Sequence, residues 1–148
     1  MSGKWHRIMA PMPHSLSILC DHLTKTFGRG TSQVHAVRSL NLEVSPGQVY
    51  GFLGPNGAGK TTTIRMLMDL IRPSDGTARI YGEDVREHHA VLKRVGALVE
   101  APAFYSFLSG RDNLTVLART AGDFKPDRIT TLLEQVGLAE KAGRKVGG

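Results

Sequence analysis

The sequence predicts an α/β protein with a β-rich first third, a mixed middle and a helical end, because its apolar periodicity changes twice. Apolar residues alternate over 16–20 and again over 40–44, as they do in half-buried strands. From Ile64 the apolar spacing becomes i, i+3, i+4, i+7, which indicates a helix. From Ser109 the pattern turns helical. A sheet followed by helices accounts for this order.

Three strands are expected before residue 54. The first begins with the alternation over 16–20, and the second carries the alternation over 40–44. Pro46-Gly47 then marks a turn into a third strand over 48–53. The first third of the chain is therefore predicted to be mainly β.

Helices and strands are expected to alternate after the third strand. The helix that contains Ile64 ends before Pro73, and a short strand is predicted over 77–81. Another helix after Asp84 and another strand over 95–99 continue the alternation. Such an alternation is typical of a mostly parallel sheet.

Two capped helices are predicted at the end of the chain. Ser109 followed by Asp112 resembles a capping box at the start of the first helix. Pro126 opens the second helix, and Gly137 ends it as a C-terminal cap. At the other end, residues 1–14 lack periodicity and are expected to form a disordered extension.

The composition suits a globular chain that buries one core. The 148 residues are 41% hydrophobic, and no stretch approaches the roughly 18 apolar residues of a membrane-spanning helix. The start of the chain lacks the apolar region of a signal peptide, and its single cysteine fits a reducing compartment. The formal net charge is +6, but the basic residues are scattered, so nucleic acid is not an expected partner.

The strongest chemical signal is the segment Gly54-Pro55-Asn56-Gly57-Ala58-Gly59-Lys60-Thr61, which fits G-x-x-x-x-G-K-[ST] at every fixed position. Gly57 and Gly59 let backbone N–H groups point inward at the start of a helix, where they hold phosphate. Lys60 supplies a positive charge to the β- and γ-phosphates, and Thr61 offers a hydroxyl to Mg²⁺. A glycine-rich turn that only allows close packing is the alternative, but it does not require the Lys-Thr pair.

The two threonines after this segment have different expected roles. In such loops the next hydroxyl, that of Thr62, often reaches the α-phosphate, whereas Thr63 is expected to face solvent. Residues 54–62 are therefore the predicted nucleotide-binding segment, which includes Gly54, Asn56 and Ala58.

Several phrases together resemble the ATPases of ATP-binding cassette (ABC) transporters, from about Leu16 to the end of the chain. The phrases are Leu23-Thr24-Lys25-Thr26-Phe27-Gly28, Leu40-Asn41-Leu42-Glu43-Val44, Pro46-Gly47-Gln48, the loop at 54–62, and Ile71-Arg72-Pro73-Ser74-Asp75-Gly76-Thr77. The resemblance implies a P-loop NTPase core with an N-terminal antiparallel β subdomain and the start of a helical subdomain. It places a partial ATPase domain at 15–148, with the helical part beginning at about residue 109.

The resemblance also assigns roles to three residues outside the loop. Phe27 matches the aromatic residue that stacks on adenine, with Ala36 beside it; an ordinary core position is the alternative for Phe27. Glu100 occupies the place of the family's Q-loop glutamine and would offer Mg²⁺ a charged oxygen, unless it is a solvated loop carboxylate. The segment that begins at Glu100 resembles the corresponding segment of bacterial ABC ATPases in the branch that exports drugs and peptide antibiotics.

An aromatic cluster follows Glu100 in the sequence. Phe104, Tyr105 and Phe107 match the surface that receives the membrane-spanning subunit in this family, and a contact between the two subdomains is the alternative. The expected partners are therefore ATP with Mg²⁺, a membrane-spanning subunit and a second cassette. The expected location is cytoplasmic, at the inner face of the cell membrane.

The sequence contains no signature motif, no Walker B Asp-Glu pair and no switch histidine. Residues 144–147 resemble the stretch before the signature, so we expect a chain truncated ahead of the catalytic half and unable to hydrolyse ATP efficiently. The expected function is that of the ATP-binding subunit of an exporter. The alternative is a non-catalytic nucleotide-binding fragment or incomplete gene product. A nucleotide kinase does not fit the β-rich first third.

Overall fold

The computed structural model describes residues 16–99, 104–122 and 124–147. The chain divides between residues 100 and 101 into two compact units, each with its own apolar core. The predicted disordered extension at 1–14 lies outside the described residues. The predicted subdomain boundary near residue 109 stays a prediction.

The first unit is built on a four-stranded sheet. Its strands are β1 (Ile18–Phe27), β2 (Val34–Val44), β3 (Asp75–Ile80) and β4 (Glu83–Asp84), in the spatial order β2-β1-β3-β4. Every pair is antiparallel. Helix α1 (Lys60–Leu67) follows β2, and short 3₁₀ turns lie at Gly30–Ser32 and His89–Arg94. The expectation of a mostly parallel sheet is therefore wrong for this part of the chain.

Apolar residues from the sheet and from α1 form the core of the first unit. The alternation read from the sequence does point inward: Cys20, Leu42 and Val44 are buried. They pack with the buried Leu23, Val37, Met66, Leu67, Ala78, Ile80, Val85 and Val91. This core fixes α1 against the sheet and thereby places the start of the helix.

Two predicted strands are wrong. Residues 48–53 and 95–99 form no strand, although both read as apolar and extended. A strand requires a neighbour for its N–H and C=O groups, and neither segment pairs with a strand in the described ranges. Several of their apolar side chains are uncovered: Val49, Leu53 and Leu98 are all strongly exposed. The helix expected after Asp84 is the short 3₁₀ turn at His89–Arg94.

The second unit contains α2 (Gly110–Thr120) and α3 (Pro126–Gln135), followed by a 3₁₀ turn at Ala139–Lys141. The predicted helix start is confirmed with Ser109 as the N-cap, because the Asp112 N–H donates to Ser109 Oγ at 3.1 Å; the Ser109 hydroxyl in turn donates to the Asp112 carboxylate at 2.6 Å. Pro126 is the first residue of α3, as predicted. Gly137 follows α3 at φ 68°.

Candidate functional site

The glycine-rich loop at 54–61 leads directly into α1, which begins at Lys60. Gly57 and Gly59 have φ values of 83° and 88°, in the left-handed region that favours glycine. The loop backbone therefore turns at Gly57 and Gly59, the two glycines that were predicted to allow it. Its first helical residues, Lys60 to Thr62, lie at the positive end of the helix dipole.

A β-bulge in β2 supports this loop. Lys25 pairs with Val37 and Thr26 pairs with His35, so Ala36 is the extra residue between two registers. A Cβ built on Gly59 would stand 2.3 Å from the carbonyl oxygen of Ala36. The loop backbone and the bulge are therefore in direct contact, a contact that only glycine allows.

Backbone N–H groups at the loop are available for an anion. The N–H groups of Gly57, Gly59, Lys60, Thr61 and Thr62 donate to no other residue in the described ranges. The first N–H groups of any helix lack partners within the helix. Five neighbouring donors at a helix start make a site that can hold phosphate oxygens.

The Lys60 ammonium lies over the same loop. Its Nζ donates to the carbonyl oxygen of Gly54 at 2.5 Å and to that of Pro55 at 2.7 Å. The loop itself thus holds the positive charge beside the N–H groups. An anion bound by those groups would meet a cation that is already in place.

The loop and β2 enclose a cavity of about 350 Å³, a volume at the low end of that typical for small-molecule sites. Most of the predicted nucleotide-binding residues line this cavity, and so do two residues that were not predicted to bind nucleotide, Val34 and His35. Its lining consists of Val34, His35, Ala36, Asn56, Gly57, Gly59, Lys60, Thr61 and Thr62. Gly54 and Ala58 belong to the same loop, and Ala58 lines the adjoining cavity.

The missed residues come to the cavity through strand pairing. His35 and Val34 oppose Thr26 and Phe27 of β1, and His35 Nδ1 lies 2.9 Å from Thr26 Oγ1. The only sequence signal was the apolar and aromatic character of 34–35. The bulge at Ala36 shifts which β2 side chains face the loop, and sequence alternation does not show that shift.

Phe27 lies at the end of β1, directly opposite Val34, which lines the cavity. Opposed residues of an antiparallel pair project from the same face of the sheet. The Phe27 ring is 44% exposed, which does not fit the alternative of an ordinary core position. Its role in stacking on adenine stays a prediction.

The three threonines after Lys60 differ in burial. Thr61 is exposed, Thr62 is half-buried and both line the cavity. Thr63 is only 1% exposed, and its hydroxyl donates to the carbonyl oxygen of Gly59 at 3.0 Å. The expectation that Thr63 faces solvent is therefore wrong, because this side of α1 packs on the core. The predicted metal ligand Glu100 lies outside the described residues.

The aromatic cluster of the second unit is anchored by Asn113, a buried residue that sequence reasoning missed. Its Oδ1 accepts from the Tyr105 N–H at 2.8 Å, and its Nδ2 donates to the carbonyl oxygens of Tyr105 and Ser109, both at 3.0 Å. Phe104, Tyr105 and Phe107 are exposed, and the Tyr105 and Phe107 rings lie 5.7 Å apart. Asn113 thus fixes an exposed aromatic surface to the start of α2.

No helix in the described ranges is long and apolar enough to cross a bilayer. Those ranges also contain no group of three His, Cys, Asp or Glu side chains arranged for a metal ion.

Known proteins with similar sequences are ATP-binding proteins of transporters. The chain is 45% identical over 126 residues to the bacitracin transport ATP-binding protein BcrA of Bacillus licheniformis, covering 84% of this chain and 40% of that protein. It is 42% identical over 113 residues to the daunorubicin/doxorubicin resistance ATP-binding protein DrrA of Streptomyces peucetius, covering 74% and 34%. The chain therefore spans about 40% or less of the length of these relatives.

Solved structures with the same fold are ATP-binding cassettes. A dimeric cassette in a post-hydrolysis state, bound to ADP and Pi, superposes with a TM-score of 0.72 at 19% identity and covers 86% of this chain and 61% of its own. This likeness confirms the predicted fold class, a P-loop NTPase core with an antiparallel β subdomain. The sequence profile described as ABC transporter matches residues 37–148. By this match and by its relatives, the chain belongs to the ATP-binding proteins of the ABC transporter family.

Proposed function

We propose that the chain binds ATP with Mg²⁺ in the cavity between the glycine-rich loop and β2, as part of the ATP-binding subunit of an export-type ABC transporter. The observation that carries the proposal is the set of unused N–H groups at Gly57 and at residues 59–62, beside the Lys60 ammonium. Together they supply the dipoles and the charge that a triphosphate requires.

Thr61 is the proposed Mg²⁺ ligand. Its side chain is exposed at the first turn of α1 and lines the cavity. Mg²⁺ is usually held jointly by such a hydroxyl and by nucleotide phosphates, with water completing an octahedron. Glu100 is proposed as a second oxygen ligand on the strength of the family resemblance alone.

Phe27 and Ala36 are the proposed adenine platform. Phe27 offers an exposed ring next to the cavity, and Ala36 lines the cavity where the loop meets β2. Stacking on an aromatic ring tolerates any base, so we expect affinity for ATP with little discrimination against GTP.

Export of an antibiotic-like compound is the proposed transport role. It rests on similarity to proteins named for bacitracin transport and for daunorubicin/doxorubicin resistance. The membrane-spanning partner is proposed to dock on the aromatic cluster Phe104, Tyr105 and Phe107, which would place the protein at the inner face of the membrane. A second cassette is proposed as a further partner, because a similar cassette is dimeric.

A nucleotide-binding role without catalysis is the second candidate, and Asp69 favours it. Asp69 follows the apolar residues Leu67 and Met68, as the acid of a Walker B strand follows apolar residues, but it lies after the C-terminal end of α1. Its carboxylate is 3.2 Å from His89 Nδ1. The eight residues of α1 separate it from the loop by about 12 Å, so it does not serve as the catalytic carboxylate.

Isothermal calorimetry with MgATP tests the proposed binding. Lys60→Ala should remove most of the affinity, while the matched control Lys93→Ala, an exposed lysine of the 3₁₀ turn, should leave it intact. Equal affinity in Lys60→Ala and in the unmodified chain would contradict the proposal.

The same titration with and without Mg²⁺ tests Thr61. Thr61→Val should lower affinity to the level that the unmodified chain shows in EDTA, and it should have no further effect in EDTA. Thr61→Ser keeps the hydroxyl and should retain the Mg²⁺ dependence. An Mg²⁺ dependence unchanged in Thr61→Val would exclude Thr61 as a metal ligand.

A further inference from the structure

We propose that Lys25 is a positioning residue that holds the Phe27 ring ready for a nucleotide base. The proposal rests on the proposed function, in which Phe27 stacks on the base of ATP. Four contacts around β1 carry it.

The first contact joins the two side chains. The Lys25 ammonium lies over the Phe27 ring, 5.0 Å from the ring centroid. The two residues are two positions apart on β1 and therefore project from the same face of the sheet. A cation at this distance is attracted to the ring face.

A second contact fixes the ammonium from its other side. Lys25 Nζ donates to the carbonyl oxygen of Arg72 at 2.5 Å. The backbone around that carbonyl is itself tied to β1: the Ser74 N–H donates to the carbonyl oxygen of Thr24 at 2.8 Å, and the Thr26 N–H donates to Ser74 Oγ at 3.0 Å. The cation is therefore held in place by the segment between α1 and β3.

The ring stands at a partly exposed position. Phe27 is the last residue of β1 and is 44% exposed. Lys25 lies over one ring face, so a base would stack on the opposite face. Because Val34, the cross-strand neighbour of Phe27, lines the cavity, that base would stack beside the bound phosphates.

Lys25 should therefore raise affinity for the base and leave affinity for the phosphates unchanged. A ring that already occupies its bound rotamer loses less conformational entropy on binding. The phosphate donors at 57–62 do not involve Lys25. Comparing a nucleotide with a baseless polyphosphate separates the two contributions.

The experiment measures dissociation constants of the full chain for MgATP and for magnesium tripolyphosphate by calorimetry. Lys25→Met keeps the aliphatic stem and removes the cation, and it should weaken MgATP binding about two- to fivefold, as expected for loss of a cation–π contact at a partly exposed site. Tripolyphosphate binding should not change. Lys25→Arg keeps a cation and should retain most of the MgATP affinity.

A double-mutant cycle with Phe27→Leu isolates the pair. In the Phe27→Leu background, Lys25→Met should produce no further loss of MgATP affinity. Thermal unfolding of each variant identifies misfolding, and Lys25→Gln replaces Lys25→Met if that variant does not fold.

Three results would overturn the inference. They are equal losses for MgATP and tripolyphosphate, no loss for either, and additive losses in the cycle. If the unmodified chain binds MgATP in a Lys60-dependent way while one of these results is found, only the role of Lys25 fails. If the unmodified chain does not bind MgATP at all, the proposed function fails and this inference fails with it.

Discussion

Gly59 of the glycine-rich loop lies against the backbone of Ala36, so closely that a Cβ on Gly59 would stand 2.3 Å from the Ala36 carbonyl oxygen. Ala36 is the unpaired residue of a bulge in β2. The loop is thus braced by a local irregularity of the sheet. This contact positions the start of α1, where the unused N–H groups lie.

Gly59→Ala should therefore displace the loop. The new Cβ would clash with a backbone oxygen, and φ 88° is itself strained for alanine by roughly 1 to 2 kcal/mol. We expect loss of most MgATP affinity and a total cost in unfolding free energy of about 2 to 4 kcal/mol. Urea unfolding and calorimetry measure the two effects.

Gly57→Ala is the matched control for this change. Gly57 has nearly the same φ, 83°, but a Cβ there would have no atom within 4 Å. The Gly57→Ala variant should lose about 1 to 2 kcal/mol of unfolding free energy through conformational strain alone. Its loss of MgATP affinity should be smaller than that of Gly59→Ala. Equal effects of the two substitutions would show that the contact with Ala36 is unimportant.

Asn113→Ala should destabilise the second unit by about 2 to 4 kcal/mol, because the N–H and carbonyl groups of Tyr105 lose their partners. Asn113→Asp keeps the acceptor for the Tyr105 N–H but sets a buried carboxylate oxygen against the carbonyl oxygens of Tyr105 and Ser109, so it should cost at least as much at neutral pH. Thr115→Ala removes a hydroxyl that bonds only within α2 and serves as control. Urea unfolding gives the free energies.

Chymotrypsin cleavage at 104–107 should accelerate in Asn113→Ala, because the aromatic cluster would lose its anchor. Unchanged cleavage would contradict the anchoring role of Asn113.

Cys20 should make stability depend on pH in the alkaline range. The side chain is 1% exposed, and burial raises the pKa of its thiol from 9.0 to about 11. Between these values the unfolded chain releases a proton that the folded chain keeps. The free energy of unfolding should therefore fall by about 1.4 kcal/mol per pH unit from pH 9 to about 11 through this residue.

Cys20→Ala isolates this effect from the other groups that titrate in the same range. The difference in unfolding free energy between the two proteins should be constant below pH 9. Above pH 9 the unfolding free energy of the unmodified chain should fall relative to that of Cys20→Ala. Alkylation of the folded protein at pH 8 should be slow. A pH-independent difference, or rapid alkylation, would show that Cys20 is not enclosed.

The 148-residue chain should hydrolyse ATP only at background level. Lys60 and Mg²⁺ are proposed to position the phosphates, but the sequence has no Walker B Asp-Glu pair to orient the attacking water. A general base alone contributes about 10² to 10⁴ in rate. Phosphate release should match that of Lys60→Ala. Lys60-dependent turnover on the order of 1 s⁻¹ would mean that another carboxylate acts as the base.

Local features of the fold could be predicted from the sequence. The N-cap at Ser109, the start of α3 at Pro126 and the end of that helix at Gly137 all depend on contacts within a few residues. The turns at Gly57 and Gly59 follow from the same kind of local chemistry. The family resemblance then predicted the fold class.

Features that depend on distant partners could not be predicted. The segments at 48–53 and 95–99 have the composition of strands, but a strand forms only where another strand accepts its hydrogen bonds. Thr63 reads as polar, yet its position on α1 turns it towards the core.

What the sequence determined by itself is the glycine-rich turn at 54–61 that leads into a helix, the helix caps and the family. The tertiary structure alone decided that a bulge at Ala36 supports Gly59, that Val34 and His35 line the cavity, and that Asn113 holds the aromatic cluster. The reason is physical. A turn or a cap is stabilised by neighbours in the chain, whereas a register shift changes which side chains meet across strands, and residue order alone does not encode that shift in any local pattern.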